Sequence, residues 1–435
     1  MKTHRPLPRL AKSVFCVIGL AWPLSANAEP FAYITNQLDD TLSVIDSATN
    51  TVVNTVTVGS APTGVAVLPN GSTVYVANHG DAIVSVIDTT TNTVIATVGV
   101  DFSPLGVSVL PDGSTVYVSN LNSDTVSVID TATNVAIATV AVGDQPRGVA
   151  VHPDGSTVYV ANVISGTVSV IDTTTNTVVA TVGEVGSEPY GVAVHPGGDT
   201  AYVANHGDTT VSVINTTTNT VVDTIVLGVG ENLIGIAVHP DGSTVYVANF
   251  DGNSVSVIDT TTNTVVDTVT VGLSPVGVAV HPGGSTVYVS NTNDDTVSVI
   301  DTLTNSVVDT LTVGDGPFAF GQFVGPFLNS LTFFPPSGKL VTTAEFDLVL
   351  IVNTTGPFSV VSGTATLNDV DVSASLGSCV IPGTLISGGQ TFRCPNLTGD
   401  FLGEGTHTLG VTLDLNDGSS VSDSVTWEVV ENTEP

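Results

Sequence analysis

The sequence predicts an all-β fold, and three observations support this prediction. A run such as VYVAN (74–78) occurs seven times, and each copy follows the previous one by 42 to 44 residues. Each copy lies in a unit of four short runs rich in Val, Ile, Thr and Tyr, the residues that strands favour. After the first 28 residues, no segment has the 3.6-residue apolar period of a helix. Four strands in a unit of about 40–45 residues is the pattern of a β-propeller, so we predict seven blades.

The four strands of a unit are separated by turn residues. The inner strand reads GVAV (64–67), the VYVAN run and VSVID (84–88) are the middle strands, and TVVNT (51–55) is an outer strand. HPDGS (152–156) places a Pro-Asp-Gly turn after an inner strand. DTTTN (88–92) joins the last two strands, and its asparagine suits a left-handed backbone.

The two ends of the repeat array complement each other. The first unit begins at its second strand, FAYITN (31–36), and so lacks an inner strand. PFAFGQFV (317–324) follows the last unit at the place of a further inner strand. We predict that it completes the first blade, because ring closure removes exposed sheet edges. The predicted propeller covers residues 29–324.

Residues 1–28 have the layout of a secretory signal peptide. A leader with four Lys or Arg residues precedes the short apolar core SVFCVIGLAW (13–22), and ANA (26–28) supplies small residues for cleavage. The apolar core is too short to span a bilayer, and no later stretch approaches the ~20 apolar residues of a transmembrane helix. We therefore expect an exported protein that is periplasmic, attached to the cell surface or secreted.

The charge balance excludes two classes of partner. The whole chain has a formal charge of −33, and without the leader three basic residues remain against 40 acidic ones. Such a surface repels nucleic acid and anionic membranes, both of which require clusters of Lys and Arg. It tolerates salt and attracts cations. Solubility alone also explains it.

Residues 325–435 differ in composition and predict a second domain. Short alternating runs, divided by turns such as NDG (416–418), suggest an immunoglobulin-like β-sandwich of about seven strands. Cys379 and Cys394 are the two cysteines outside the leader, and an even number in an exported protein favours a disulfide. Their close spacing indicates that the bond clamps one loop.

Four histidines precede proline in successive units: His152, His195, His239 and His281. Such a ring could hold a metal ion. Leu68 and Leu110 occupy the same position in earlier units, however, and leucine does not replace a metal ligand. We therefore interpret these histidines as turn residues.

The connections between the two middle strands vary, as in NHGDAI (78–83). In propellers they share a face with the lead-in loops, which join the outer strand of one blade to the inner strand of the next. Both sets are rich in carboxylates, so this face is predicted to be acidic. Oxygen-rich loops suit Ca²⁺, but these loops lack the dense D-x-D-x-D-G spacing of a calcium site, and solvated turns explain them better. The candidate metal ligands are His79, Asp81, His206 and Asp208.

Two lead-in segments in adjacent units depart most from the repeat, GEVGSEPYG (183–191) and GVGENLIG (228–235). A dedicated site usually requires loops that diverge from the repeat, so we expect a ligand site where these two meet. The candidate residues are Glu184, Glu188, Tyr190 and Glu231.

The YITN, YVAN and YVSN runs, together with SVID and PDGSTVYVAN, resemble the YVTN-type β-propeller repeat family over about two thirds of the chain. The family includes bacterial and archaeal surface-layer and exported propellers. Related seven-bladed folds include lactonase-like enzymes and the haem d1 domain of nitrite reductase. The resemblance implies architecture, because propellers carry unrelated functions on their loops.

The near identity of the repeats favours a non-catalytic, monomeric, exported protein that binds an envelope or extracellular protein or glycan. A periplasmic metal-dependent hydrolase or lactonase-like enzyme is the alternative. A haem or quinone redox propeller is disfavoured, because the sequence lacks a C-x-x-C-H attachment motif.

Overall fold

The computed structural model describes residues 30–228 and 232–325, and between residues 330 and 430 it describes the backbone of eight more strands. From Phe31 to Thr312 the chain forms 27 strands in seven sheets of consecutive strands. Six of these sheets have four strands and the first has three. We call them blades 1 to 7 in chain order.

The strand bounds repeat from blade to blade. Blade 1 contains β1 (Phe31–Asn36), β2 (Thr41–Asp46) and β3 (Thr51–Thr57). Blades 2 and 3 contain β4 (Pro62–Val67), β5 (Thr73–Asn78), β6 (Ile83–Asp88) and β7 (Thr93–Gly99), then β8 (Pro104–Val109), β9 (Thr115–Asn120), β10 (Thr125–Asp130) and β11 (Val135–Ala141). Blades 4 and 5 contain β12 (Pro146–Val151), β13 (Thr157–Asn162), β14 (Thr167–Asp172) and β15 (Thr177–Val182), then β16 (Pro189–Val194), β17 (Thr200–Asn205), β18 (Thr210–Asn215) and β19 (Thr220–Val226). Blades 6 and 7 contain β20 (Leu233–Val238), β21 (Thr244–Asn249), β22 (Ser254–Asp259) and β23 (Thr264–Thr270), then β24 (Pro275–Val280), β25 (Thr286–Asn291), β26 (Thr296–Asp301) and β27 (Ser306–Thr312).

The apolar core lies between the blades. The middle strands are buried because neighbouring blades cover both of their faces, whereas the outer strand β7 is largely exposed apart from Val98. One apolar cluster joins Ala66 and Tyr75 of blade 2 to Val107 and Ile129 of blade 3, and the pattern recurs around the ring. Each blade is therefore stabilised by its neighbours.

Residues 317–324 complete blade 1, as the sequence predicts. Ala32 pairs antiparallel with Val324, and the N–H of Tyr33 donates to the carbonyl of Phe323 at 2.8 Å. Phe323 is fully buried in the cluster that joins blades 7 and 1. The last blade is thus tied to the first, and the ring is closed.

The turn between the last two strands of each blade has the predicted left-handed asparagine. The φ angles of the seven asparagines lie between 48° and 53°, at Asn50, Asn92, Asn134, Asn176, Asn219, Asn263 and Asn305. In several blades this residue also accepts a hydrogen bond from a tyrosine of the preceding blade. Tyr75 donates to Asn134 at 2.8 Å, and Tyr288 of blade 7 donates to Asn50 of blade 1 at 2.9 Å. These bonds link neighbouring blades around the closed ring.

The asparagine that ends each YVAN-type run ties its blade to a lead-in loop. In blade 2, Nδ2 of Asn78 donates to the hydroxyl of Ser85 at 2.9 Å, and its Oδ1 accepts the N–H of Gly59 at 3.0 Å. A Cβ on Gly59 would lie 2.7 Å from the Asn78 amide, so a glycine is needed there. The seven asparagines are completely buried: Asn36, Asn78, Asn120, Asn162, Asn205, Asn249 and Asn291.

The His-Pro histidines follow the inner strands and contact the next blade. The Nε2 atoms of His152 and His239 donate to the carbonyls of Gly198 and Gly284 at 2.7 and 2.8 Å. His281 is 5% exposed, and its Nε2 lies 3.4 Å from the hydroxyl of Ser47 in blade 1. Burial lowers the pKa of His281 to about 4.

Beyond the propeller the backbone forms two sheets. One has the order β28-β30-β33, and the other has the order β29-β35-β34-β31-β32. The bounds of these strands are Ser330–Phe333 (β28), Lys339–Val341 (β29), Glu345–Asn353 (β30), Val360–Leu367 (β31), Val370–Asp371 (β32), Gln390–Thr398 (β33), Gly405–Leu415 (β34) and Ser420–Val430 (β35). The immunoglobulin-like arrangement of this region stays a prediction. The leader at 1–28 and the pairing of Cys379 with Cys394 lie outside the described residues.

Among the residues that the structure describes, no helix is long and apolar enough to cross a bilayer.

Candidate functional site

A cavity of about 320 Å³ opens at the mouth of the central channel, on the face that carries the lead-in loops. We call it the cup. Two repeat positions provide most of its wall: the second residue of an inner strand, and the residue that follows the buried asparagine. The cup is lined by Arg147, Val163, Glu188, Tyr190, His206, Asn232, Ile234, Phe250, Val276, Thr292 and Phe318.

The floor of the cup is formed where the inner strands come closest to one another. In blades 2 to 7 a glycine follows the second residue of the inner strand, and its Cα faces a carbonyl of the next inner strand. A Cβ on Gly148 would lie 2.5 Å from the carbonyl oxygen of Tyr190, so a side chain cannot be added without moving backbone. Below this level the channel narrows to a cavity of about 30 Å³, the share of one water molecule. The channel is therefore constricted at the base of the cup.

Arg147 is the single Lys or Arg residue between positions 30 and 325. Its Cζ lies 4.3 Å from the ring centroid of Tyr190, a cation–π geometry. Its Nε is buried without a hydrogen-bond partner, and the ion pairs found among the described residues do not include Arg147. The guanidinium is thus a half-buried cation in the cup, without a carboxylate partner.

Tyr190 is the aromatic centre of the cup wall. It is 5% exposed, and its ring lies 5.5 Å from the rings of both His206 and Phe320. Burial raises the pKa of Tyr190, and the charge of Arg147 acts in the opposite direction. The phenol is therefore neutral at physiological pH and serves as a rigid surface.

Glu188 and His206 form the polar side of the rim. The Nδ1 of His206 faces Oε2 of Glu188 at 3.2 Å, so its N–H donates to the carboxylate. The backbones are joined as well, because the N–H of His206 donates to the carbonyl of Glu188 at 2.9 Å. Glu188 is consequently held by the histidine and not by Arg147.

His79 lies in blade 2 at the position that His206 occupies in blade 5. Burial lowers the pKa of His79, a hydrogen bond to the carbonyl of Pro104 opposes the change, and the Arg147 charge lowers the pKa further. Its Nδ1 is buried without a partner. The ring is therefore neutral, and Nε2 supplies the bond to Pro104.

Two carboxylates of the predicted acidic face hold lead-in loops in place. Oδ2 of Asp81 accepts the N–H of Ser60 at 2.5 Å, and Oδ2 of Asp208 accepts the N–H of Ser187 at 2.7 Å. Asp208 also accepts the hydroxyl of Thr210. Within residues 30–228 and 232–325, no three His, Cys, Asp or Glu side chains are grouped to share a metal ion. The Ca²⁺ site built on His79, Asp81, His206 and Asp208 stays a hypothesis.

The structure brings together part of the predicted ligand site. Glu188 and Tyr190 both line the cup, and they meet His206 there. Glu184 is exposed on the same lead-in segment and is not part of the cup lining. Glu231 lies outside the described residues.

Sequence reasoning missed Arg147, although a signal for it exists in the repeat. The residue before the inner-strand glycine is Thr63, Leu105, Arg147, Tyr190, Ile234 and Val276 in blades 2 to 7, while the flanking residues hardly vary. Such variation inside a repeated strand marks a position that points into the channel. Arg147 is the one charged side chain at this position, and this difference is the signal that the sequence offers.

Two protein families match parts of the propeller. The YNCE-like β-propeller family matches residues 102–199, and the family described as lactonase, 7-bladed β-propeller matches residues 184–308. The chain is a seven-bladed β-propeller protein. The second match includes Glu188, Tyr190 and His206. A comparison with curated proteins finds no match.

Solved structures share this fold. Hydrazine synthase of Kuenenia stuttgartiensis matches with a TM-score of 0.58 and 24% identity, over 66% of this chain and 99% of that one. A protein of unknown function from Desulfotomaculum acetoxidans matches with a TM-score of 0.58 and 21% identity, over 68% and 98%. A putative 6-phosphogluconolactonase from Bacteroides uniformis also has a TM-score of 0.58, with 18% identity, over 67% and 98%. At these identities the likeness concerns the fold alone.

Proposed function

We propose that this chain is an exported, non-catalytic binding protein whose propeller takes up a small ligand in the cup. The observation that carries the proposal is the cup itself. It is a cavity of about 320 Å³ above a constricted channel, with mostly apolar walls and a few polar groups, which is the usual composition of a small-molecule site. We propose that this ligand belongs to an envelope or extracellular protein or glycan, which is the binding partner.

The chemistry of the acidic face favours binding over catalysis. Asp81 and Asp208 accept backbone N–H groups of lead-in loops, and Glu188 is bonded to His206. A carboxylate that fixes a loop preorganises a binding surface, because its position no longer depends on the ligand. The repeat thus provides a rigid rim around the cup.

A matched pair of variants tests the cup as the binding site. Thr292→Trp places an indole at the cup wall, whereas Leu121→Trp makes the same change at the same repeat position of blade 3, away from the cup lining. The purified protein is screened by thermal shift against small sugars, alcohols, amines and organic acids, and the melting temperatures of both variants are measured without ligand.

We expect at least one class of compound to raise the melting temperature of the wild type and of Leu121→Trp, and not that of Thr292→Trp. Equal shifts in Thr292→Trp would place the binding elsewhere and refute the proposal.

A lactonase-like hydrolase is the second candidate, since the lactonase family match covers the segment that holds Glu188 and His206. The Glu188–His206 pair could act as a general base beside Arg147. Acid release from γ- and δ-lactones, with and without added Ca²⁺ or Zn²⁺, tests this activity. Hydrolysis that is lost in Glu188→Gln would favour the enzyme over the binding protein.

A further inference from the structure

The cup combines an apolar wall with one cation in a strongly acidic protein. Ile234, Val276 and Phe318 form part of the wall, and Arg147 is the only basic residue of the Lys/Arg type within 30–325. A half-buried cation without an ion-pair partner is unfavourable for folding, because it loses hydration and gains no compensating charge. Residues that break a folding rule in this way are expected at functional sites.

Potential protein partners of Arg147 are held elsewhere. Glu188 lines the same cup, yet its carboxylate accepts the Nδ1–H of His206 at 3.2 Å. The carboxylate of Asp251 accepts a hydrogen bond from the side-chain amide of Asn232, a cup residue, at 2.6 Å. The guanidinium carbon of Arg147 lies 4.3 Å from the ring centroid of the buried Tyr190, so this contact restricts the position of the guanidinium in the cup.

We propose that the cup binds a small organic carboxylate with an apolar body, and that Arg147 anchors the carboxylate group. This inference rests on the proposed function of the cup and adds the chemical class of the ligand. The guanidinium fork matches a carboxylate through two parallel hydrogen bonds. The apolar body packs against Val276 and Phe318 in the space that the cup provides.

The acidic rim determines which anions enter. Glu188 lines the cup, and the whole chain has a formal net charge of −33. Repulsion grows with the charge of the ligand, so a monoanion is favoured over a phosphate dianion or a polyanion. A neutral analogue of the same shape makes the apolar contacts but does not pair with the guanidinium, so we expect it to bind more weakly than the carboxylate.

Four probes separate these possibilities in calorimetric titrations of the full protein. Phenylacetate carries the carboxylate, phenylacetamide is its neutral isostere, phenyl phosphate is the dianion, and acetate lacks the apolar body. We expect phenylacetate to bind at millimolar concentration or below, and each of the other three to bind at least about tenfold more weakly.

Three variants assign the binding to the guanidinium. Arg147→Leu reproduces the residue found at the same position of blade 3, Leu105, so the fold is expected to persist with equal or higher melting temperature. It should weaken phenylacetate binding at least about tenfold and leave phenylacetamide unchanged. Arg147→Lys should retain part of the binding, because it keeps the charge without the fork. Arg147→Gln serves in place of Arg147→Leu if the latter does not fold.

The outcomes distinguish this inference from the proposed function. One outcome is that neutral compounds bind, that Thr292→Trp blocks them, and that phenylacetate binds no better than phenylacetamide. The cup would then be a binding site, but the proposal of a carboxylate ligand would be refuted. If phenylacetate binds equally to the wild type, Arg147→Leu and Thr292→Trp, both the anchor and the cup are refuted. Failure of phenylacetate to bind the wild type at millimolar concentration also overturns the inference.

Discussion

Acidification should weaken the propeller through His281, a histidine that the fold buries. His281 is 5% exposed, and burial lowers its pKa from 6.5 to about 4. Because the folded pKa lies below the unfolded one, the unfolded chain binds the proton more readily between these two values. Stability is therefore present at neutral pH and is lost as the pH falls below 6.5 towards 4.

The size of the effect follows from the shift. The difference between the unfolded and folded pKa of His281 corresponds to roughly 3 kcal/mol of unfolding free energy at a pH below both values. Between pH 7 and pH 4.5 the protein should lose roughly 2 kcal/mol of this stability. The unfolding entropy of a propeller of this length converts that loss to roughly 3 to 4 °C of melting temperature.

His281→Leu removes the titrating group and places in blade 7 the leucine that blades 2 and 3 carry at Leu68 and Leu110. Scanning calorimetry at pH 7 and pH 4.5 compares the variant with the wild type, and His195→Leu controls for removing a more exposed imidazole from the same turn. We expect His281→Leu to lose clearly less stability on acidification than the wild type does. Parallel pH profiles of the wild type and His281→Leu would refute the reasoning.

Two further substitutions test how the ring is built. Gly148→Ala should cost about 2 to 3 kcal/mol, because its Cβ would meet the Tyr190 carbonyl, whereas Gly99→Ala, with open space around it, should change stability by less than about 0.5 kcal/mol. Equal urea midpoints for the two variants would contradict the close approach of the inner strands. Tyr288→Phe removes the hydrogen bond to Asn50 between blades 7 and 1 and should cost about 1 kcal/mol in denaturant unfolding. An unchanged midpoint would mean that this bond does not help to close the ring.

Much of the fold could be predicted because the same strand and turn patterns recur in seven units. The asparagine of DTTTN predicts the left-handed turn at Asn92, and its counterparts adopt it in every blade. The missing inner strand of the first unit predicts the pairing of residues 317–324 with β1, which the structure confirms. Local patterns of this kind need no knowledge of distant contacts.

The site was less accessible to sequence reasoning, because it is formed by residues from several blades. Divergence from the repeat pointed to Glu188 and Tyr190, and the structure places both in the lining of the cup. The same criterion overlooks Arg147, whose lead-in loop has ordinary length and which acquires its meaning only beside Tyr190. The hydrogen bond that Asp81 accepts from Ser60 likewise depends on a second loop, the lead-in loop between blades 1 and 2.

The most direct test of the binding site is a crystal structure of the protein with phenylacetate. The carboxylate is expected within hydrogen-bond distance of the Arg147 guanidinium, with the phenyl ring against Val276 and Phe318. A ligand seated outside the cup, or one in the cup whose carboxylate points away from Arg147, would contradict the account.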